Sequence, residues 1–378
     1  MDVASPEGSG AQTMLFADKA EFFERLCRFE MRCRRAVRGG FTLIELLVVV
    51  SVIAVLIAIM MPSLASARRV ARTAVCGTNL RSLSQAMNVY AAEWNGAILG
   101  NAQTTGSGLY TGNYGAFASG ISVASNVPEV IQANDWMSPT AKVMGFKFNT
   151  GGSAADRIDR FMAFNNYKPF ICPENQWMST AFTGAGGPNF PVHRMISYNA
   201  ASCFQNVNTS ASSISSFTGQ FSIPQGWVAL PSVYRPKIDR VGNPSQKVYM
   251  ADGGRWYSGG SNYLALTTDG GLSSSSVGGM DQDYGPWDAN TRAYNKGTNG
   301  DGRPVSMRHG SQRPGVGLSS YKFNLAFFDG HVELMNGLDG ADPSLWVPSG
   351  GSVKIGEVTT QADFRARYCK GGGAPSVR

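Results

Sequence analysis

The stretch RGGFTLIELLVVVSVIAVLIAIMMPSL, Arg38 to Leu64, decides the architecture of this chain. From Phe41 to Met61 it runs for 21 residues with a single charge, Glu45. At helical rise such a run spans roughly 31 Å, the thickness of a bilayer's hydrocarbon core. Its many β-branched residues weaken a helix in water. In lipid the backbone must satisfy its own hydrogen bonds, and a helix does this within one segment. Upstream stand Arg32, Arg34, Arg35 and Arg38. The positive-inside bias keeps them in the cytoplasm and sends the rest of the chain across the inner membrane. A secretory signal peptide would put a small-residue cleavage site after the apolar run. Here Met60-Met61-Pro62-Ser63-Leu64 follows it, and the small pair Gly39-Gly40 precedes it.

The remainder of the 378 residues bounds the class. With 43% hydrophobic, 11% aromatic and only 16% charged residues, a wholly disordered chain is excluded. Only one stretch is apolar enough to cross a bilayer, which excludes a polytopic membrane protein. The net charge of +7, from 33 basic and 26 acidic residues, is modest for this length and forms no basic run beyond the N-terminus. No nucleic-acid partner is expected.

The order basic leader, Gly40, Phe41-Thr42-Leu43-Ile44-Glu45 and apolar helix resembles the class III signal of type IV pilins and type II secretion pseudopilins. The resemblance covers Met31 to Pro62. It implies that a prepilin peptidase cuts between Gly40 and Phe41 and that Phe41 becomes the N-methylated terminus. It further implies that Glu45 pairs with the free amino terminus of a neighbouring pilin or pseudopilin subunit during assembly. A lone carboxylate in a bilayer helix costs several kcal/mol, so it needs such a partner unless it sits at headgroup level. The expected organisation is a leader over 1–40, a membrane and filament-core helix over 41–62, an amphipathic stalk over 63–96 and a globular head over 97–378. A start at Met31 would give MRCRRAVRGG, an ordinary prepilin leader, and the same mature chain.

From Ser63 to Glu93 helical character continues. Leu64, Val70, Val75, Leu83, Met87 and Tyr90 recur as an apolar stripe, with Arg68, Arg69, Arg72 and Arg81 off it. Pro62 is expected to kink the helix, and Trp94-Asn95-Gly96 to end it. Beyond Ala97, Gly, Ser, Asn and Thr dominate and short β-type runs appear: 170–172, 193–198, 247–251, 323–328 and 331–334. Stretches 101–127, 205–220 and 258–302 read as surface loops. The expected fold is α+β and pilin-like, a long N-terminal helix packed on an antiparallel sheet.

Lys322 to Met335, KFNLAFFDGHVELM, reads as a hairpin whose Asp329-Gly330 pair favours a type I′ turn. With His309 just upstream, the head resembles the planctomycete-type prepilin-like proteins, named for a His, nine residues and Asp-Gly. Cys76 with Asn79-Leu80, Phe170-Ile171-Cys172-Pro173, Ser197-Tyr198-Asn199 and Ala251-Asp252-Gly253 agree with that group. Here nineteen residues separate His309 from Asp329, and a loop insertion of this size costs little if its ends stay paired.

His309, Asp329, His331 and Asp252 are candidate ligands for zinc or manganese, because imidazole and carboxylate suit those ions. Their spacing puts them on no common face. Turn chemistry alone explains Asp329-Gly330, with His331 starting a strand and His309 bonding a loop backbone. Asp281, Asp283, Asp288 and Asp301 form an acidic loop that calcium could use, although the spacing is not that of an EF-hand. Ca²⁺ is the one cofactor in view. Cys27 and Cys33 leave with the leader, whereas Cys76, Cys172, Cys203 and Cys369 reach a compartment where disulfides form. Four cysteines allow three connectivities. Among them, Cys76 with Cys172 would tie stalk to head.

No GxSxG, HExxH or GxxxxGK[ST] pattern occurs, and no enzyme activity is expected. The reading is a structural subunit, pseudopilin or minor pilin-like, anchored by one helix with its head outside the inner membrane. The alternative is the same anchor carrying a calcium- or glycan-binding adhesin head.

Overall fold

In the computed structural model the described residues are 42–99, 136–150, 154–175, 197–205, 228–253, 292–293, 305–310, 318–353 and 366–369. The chain divides into two compact units, one ending at Ala65 and the other running from Ser66.

Helix α1 spans Leu43–Glu93, 51 residues with Pro62 inside it. The helix runs on through Pro62 as one element, as expected: losing one donor costs less than leaving the surrounding apolar run without intrachain hydrogen bonds. The helix ends where the sequence predicts. Asn95 and Gly96 take φ of 53° and 76°, and the Gly96 amide closes on the Ala91 carbonyl at 2.7 Å. That is a Schellman-type stop, in which a left-handed residue lets the chain turn back on its last carbonyls.

Up to Met61, α1 exposes nearly everything apolar, from Leu43 at 79% to Met61 at 61%. Each Val, Leu or Ile left in water forgoes about 1.5–3 kcal/mol, so a dozen of them forgo some 20–30 kcal/mol. Such a surface requires lipid or other helices around it. The helix is long and apolar enough to cross a membrane.

Within the second unit α1 buries Cys76, Leu80, Leu83, Ser84, Met87, Tyr90 and Ala91, at the three- and four-residue steps of one helix face. The expected stripe is right from Leu83 onward and wrong before it. Val70 and Val75 are 68% and 46% exposed, because the covered face begins one turn later and on a different phase, at Cys76.

Around that face lie helices α2 (Met137–Val143), α3 (Ala154–Asn166) and α4 (Pro343–Trp346). The strands are β1 (Tyr198–Ala200), β2 (Val228–Ala229), β3 (Val248–Asp252), β4 (Arg292–Ala293), β5 (Val305–Ser306), β6 (His309–Gly310), β7 (Tyr321–Phe327), β8 (Val332–Asn336) and β9 (Ser352–Val353). Two short pairs, β2 with β9 and β4 with β5, stand apart from the main sheet. The main sheet has five strands, all antiparallel: β1-β3-β7-β6, with β8 also on β7. The architecture is therefore the expected α+β one.

Both β3 and β6 pair with β7, β3 through Leu325–Phe327 and β6 through Tyr321 and Lys322. Since β8 pairs with Lys322–Ala326, β3 and β6 share the opposite edge of β7, end to end. Strand β7 is buried at every residue except Lys322, which explains its near-continuous apolar sequence.

Two local expectations change. Residues 170–172 form no strand; Lys168–Phe170 is a 3₁₀ turn with Pro169 near its start. Proline has no N–H for a sheet ladder, and its fixed φ suits the first turn of a helix. The hairpin turn is not type I′. Gly330 has φ of 91°, and Asp329 is not among the residues with positive φ. Gly330 N donates to Phe327 O at 2.9 Å and Phe327 N to His331 O at 3.0 Å. These bonds describe a three-residue loop closed by a glycine bulge, which needs only one left-handed residue. Of the expected surface loops, almost all lies outside the described residues, as does 193–196; β4 falls within 258–302.

Candidate functional site

The start of α1 is built by two side chains. Thr42 precedes the helix, and Glu45 stands in its first turn. Glu45 Oε2 accepts from the Thr42 backbone N at 2.9 Å and from its hydroxyl at 3.0 Å, while Glu45 N donates to Thr42 Oγ1 at 3.3 Å. This reciprocal arrangement is a capping box, which satisfies helix-start donors that have no partner within the helix. One carboxylate oxygen does the capping. The other, Oε1, accepts no hydrogen bond among the described residues. Gly40 and Phe41 themselves lie outside the described residues.

The second constellation occupies the junction between β3 and β6. Asp252, at the end of β3, is fully buried, and His309, at the start of β6, is 1% exposed. Asp252 Oδ2 accepts from Asn324 N at 2.6 Å and Asn324 Nδ2 at 2.8 Å. His309 Nε2 lies 3.0 Å from the same oxygen, an ion-pair contact between two buried groups, and Asp252 Oδ1 has no hydrogen-bond partner among the described residues. Thr73 of α1 donates its hydroxyl to Arg69 O and sits 3.1 Å from His309 Nδ1. Arg308 donates to the Ser197 and Gly253 carbonyls. The arrangement thus bolts helix, β3, β6 and β7 together through buried charge.

Burial by itself would raise the Asp252 pKa. The charges of His309 and Arg308 and the Asn324 amide outweigh it and hold the carboxyl below its ordinary value. A carboxylate with a folded pKa below its unfolded one stabilises the fold above the unfolded value, near 4, and loses that contribution as pH falls through the folded value. The melting temperature of the full chain in neutral detergent is therefore expected to drop as pH goes below about 4. In Asp252→Asn the baseline should be lower and this acid limb should flatten. An unchanged limb in that variant would assign the acid sensitivity to other carboxylates.

Beside this junction, Cys76 and Cys172 form a disulfide. The bridge expected to tie stalk to head is formed, but Cys203 and Cys369, whose pairing would complete that connectivity, remain thiols. Cys203 is a buried thiol and Cys369 a half-buried one. His309 approaches the two sulfurs, with ligand atoms within 4.8 Å of one another. The disulfide removes the thiolates that zinc would need.

The four expected metal ligands separate into two pairs. His309 joins Asp252, while His331 Nδ1 lies 2.6 Å from Asp329 Oδ1 at the hairpin turn and stacks on Phe327 at 4.1 Å. His309 meets a side chain and a carboxylate where a loop backbone was expected, because the junction leaves Asp252 facing the β6 terminus. Asp281, Asp283, Asp288 and Asp301 lie outside the described residues, as does His193.

Several contributors go beyond the expected set. Thr42 carries a legible signal, since Thr-x-x-Glu before an apolar run is the capping-box signature. Asn324 is a lone amide within the apolar KFNLAFF, and a polar residue there signals a buried partner. Thr73 and Arg308 carry no local signal; only the sheet order brings them to Asp252 and His309.

Compared with known families, residues 35–61 match the model described as the prokaryotic N-terminal methylation motif. No curated protein and no solved structure matches the chain. The motif ends within the exposed apolar part of α1, so a prepilin-type signal leads directly into a long apolar helix.

Proposed function

We propose that this chain is a structural subunit, pseudopilin or minor pilin-like, of a type II secretion or type IV pilus-like assembly. One observation carries the reading: the methylation motif at 35–61 runs into the part of α1, up to Met61, whose apolar surface is open. A prepilin peptidase cuts after Gly40 and methylates Phe41. The Arg-rich leader stays cytoplasmic, the 41–62 segment lies in the inner membrane and then in the filament core, and the head stands outside. Segments 63–96 and 97–378 act as stalk and head. Work of assembly is mechanical, because burying the open face of α1 against neighbours replaces lipid contacts with helix packing. Glu45 supplies polarity and register, its unused oxygen accepting the new amino terminus of the adjacent subunit. The large head favours a specialised or tip-like subunit over a major one.

Intact mass and N-terminal sequencing of the protein from native membranes test this, with and without the peptidase. The expected product begins at N-methylated Phe41 and is absent when the peptidase is deleted or Gly40 is replaced by valine. An uncleaved chain in peptidase-competent cells would reduce α1 to a plain anchor and overturn the assembly mechanism.

A further inference from the structure

Along the head's side of α1 runs an open groove of about 610 Å³ between the helix and the β6–β7–β8 face. Arg69 and Arg81 line it from the helix and Lys322 from β7, and Val70, Val332 and Leu334 supply apolar walls. No carboxylate and no Phe, Tyr or Trp lines it among the described residues, and its two imidazoles, His309 and His331, are held by Asp252 and by Asp329. Arg72, on the same helix, faces Glu174 at 3.7 Å, whereas among the described residues Arg69, Arg81 and Lys322 face no carboxylate. Their surroundings also contain Asp329, but it is engaged by His331, and Asp252 lies beneath the floor, held by His309 and Asn324.

We infer that this groove binds an extended acidic polypeptide segment with apolar residues between its carboxylates. Twelve residues of helix separate Arg69 from Arg81, which is about 18 Å along the axis. One phosphate or one carboxylate cannot reach both ends. An extended chain rising about 3.3 Å per residue covers the distance in five or six residues. Exposed Val70 and Leu334, 68% and 41% open, then meet the apolar side chains of the ligand. Nucleic-acid single strands and glycans are poorer occupants, because their bases and sugar faces stack on open Phe, Tyr or Trp rings, whereas the rings of this lining are His309, buried on Asp252, and His331, already stacked on Phe327.

The test uses the full chain in an uncharged detergent and a fluorescent octapeptide of alternating Val and Glu, read by anisotropy. This peptide is expected to bind at least about tenfold more tightly than its Val-Lys counterpart and to weaken as salt rises. Arg69→Glu with Arg81→Glu should weaken it about tenfold, from two lost attractions and two new repulsions. Arg68→Glu, on the same helix but outside the groove, should change it less than about twofold. Equal binding of the two peptides, or equal effects of Arg68→Glu and the groove pair, overturns the assignment. Tighter binding of a sulfated oligosaccharide of equal charge overturns the polypeptide class in favour of a glycan. A thermal melt of each variant separates lost binding from lost fold.

Discussion

Glu45→Gln is expected to insert, to be cleaved and to accumulate in the membrane, yet to fall by more than about tenfold in the sheared filament fraction. The substitution isolates charge from capping. Glutamine at this helix position can complete a capping box as glutamate does, so the two Thr42 bonds at 2.9 and 3.0 Å have a successor. What glutamine cannot do is neutralise an ammonium group in a medium without water. Losing one partner of such a pair costs about 2–5 kcal/mol, and each 1.4 kcal/mol is about tenfold in assembly. Thr42→Ala does the converse. It removes the cap at a cost of about 1 kcal/mol and keeps the carboxylate, so the filament fraction should fall only a few-fold. If Glu45→Gln assembled normally while Thr42→Ala failed, Glu45 would be a helix-start residue and the proposed subunit contact would be wrong.

Cys76→Ser carries the largest expected effect on the head. The bridge to Cys172 closes a separation of 96 residues, and both cysteines are fully buried. A loop of that size gives a chain-entropy contribution of about 4–5 kcal/mol. For a unit this large the melting temperature should drop by about 10 °C. The wild-type chain under a strong dithiol reductant should melt with the variant. Cys203→Ser, a small change at a thiol outside the bridge, should stay close to the wild type. A Cys76→Ser variant that melts with the wild type would mean that the packing of Leu80, Leu83 and Met87 holds the stalk without the crosslink. Proteolysis of the reduced chain within 76–172 would localise the loosened segment.

The long N-terminal helix was legible because its determinants are consecutive. A 21-residue apolar run and the Trp-Asn-Gly stop after it belong to one helix, so spacing alone reads them, and the Thr-x-x-Glu start, equally local, went unread. Strands β3, β7 and β8 were readable from their apolar runs. Phase was harder. Val70 and Val75 look like core residues beside Leu83 and Met87, yet the helix turns them to solvent, since what counts is the face the sheet covers. Proline chemistry decided against a strand at 170–172, and the bulge geometry at Gly330 replaced the two-residue turn that Asp-Gly suggests.

The charged centre of the head belongs to tertiary structure. Asp252 and His309 are far apart in the chain, in strands too short to announce their pairing, and they meet because both extend along one edge of β7. Asn324 faces the same point from across the ladder, and Thr73 comes from α1. The groove cations show the same dependence: Arg69, Arg81 and Lys322 converge only when helix and sheet are assembled. By itself the sequence determined the long apolar helix, the prepilin-type signal and the α+β class, because local periodicity and hydrophobicity act over a few turns of chain. The disulfide partner, the buried carboxylate and the binding groove were decided by the fold, because each is a contact between segments whose separation no local pattern encodes.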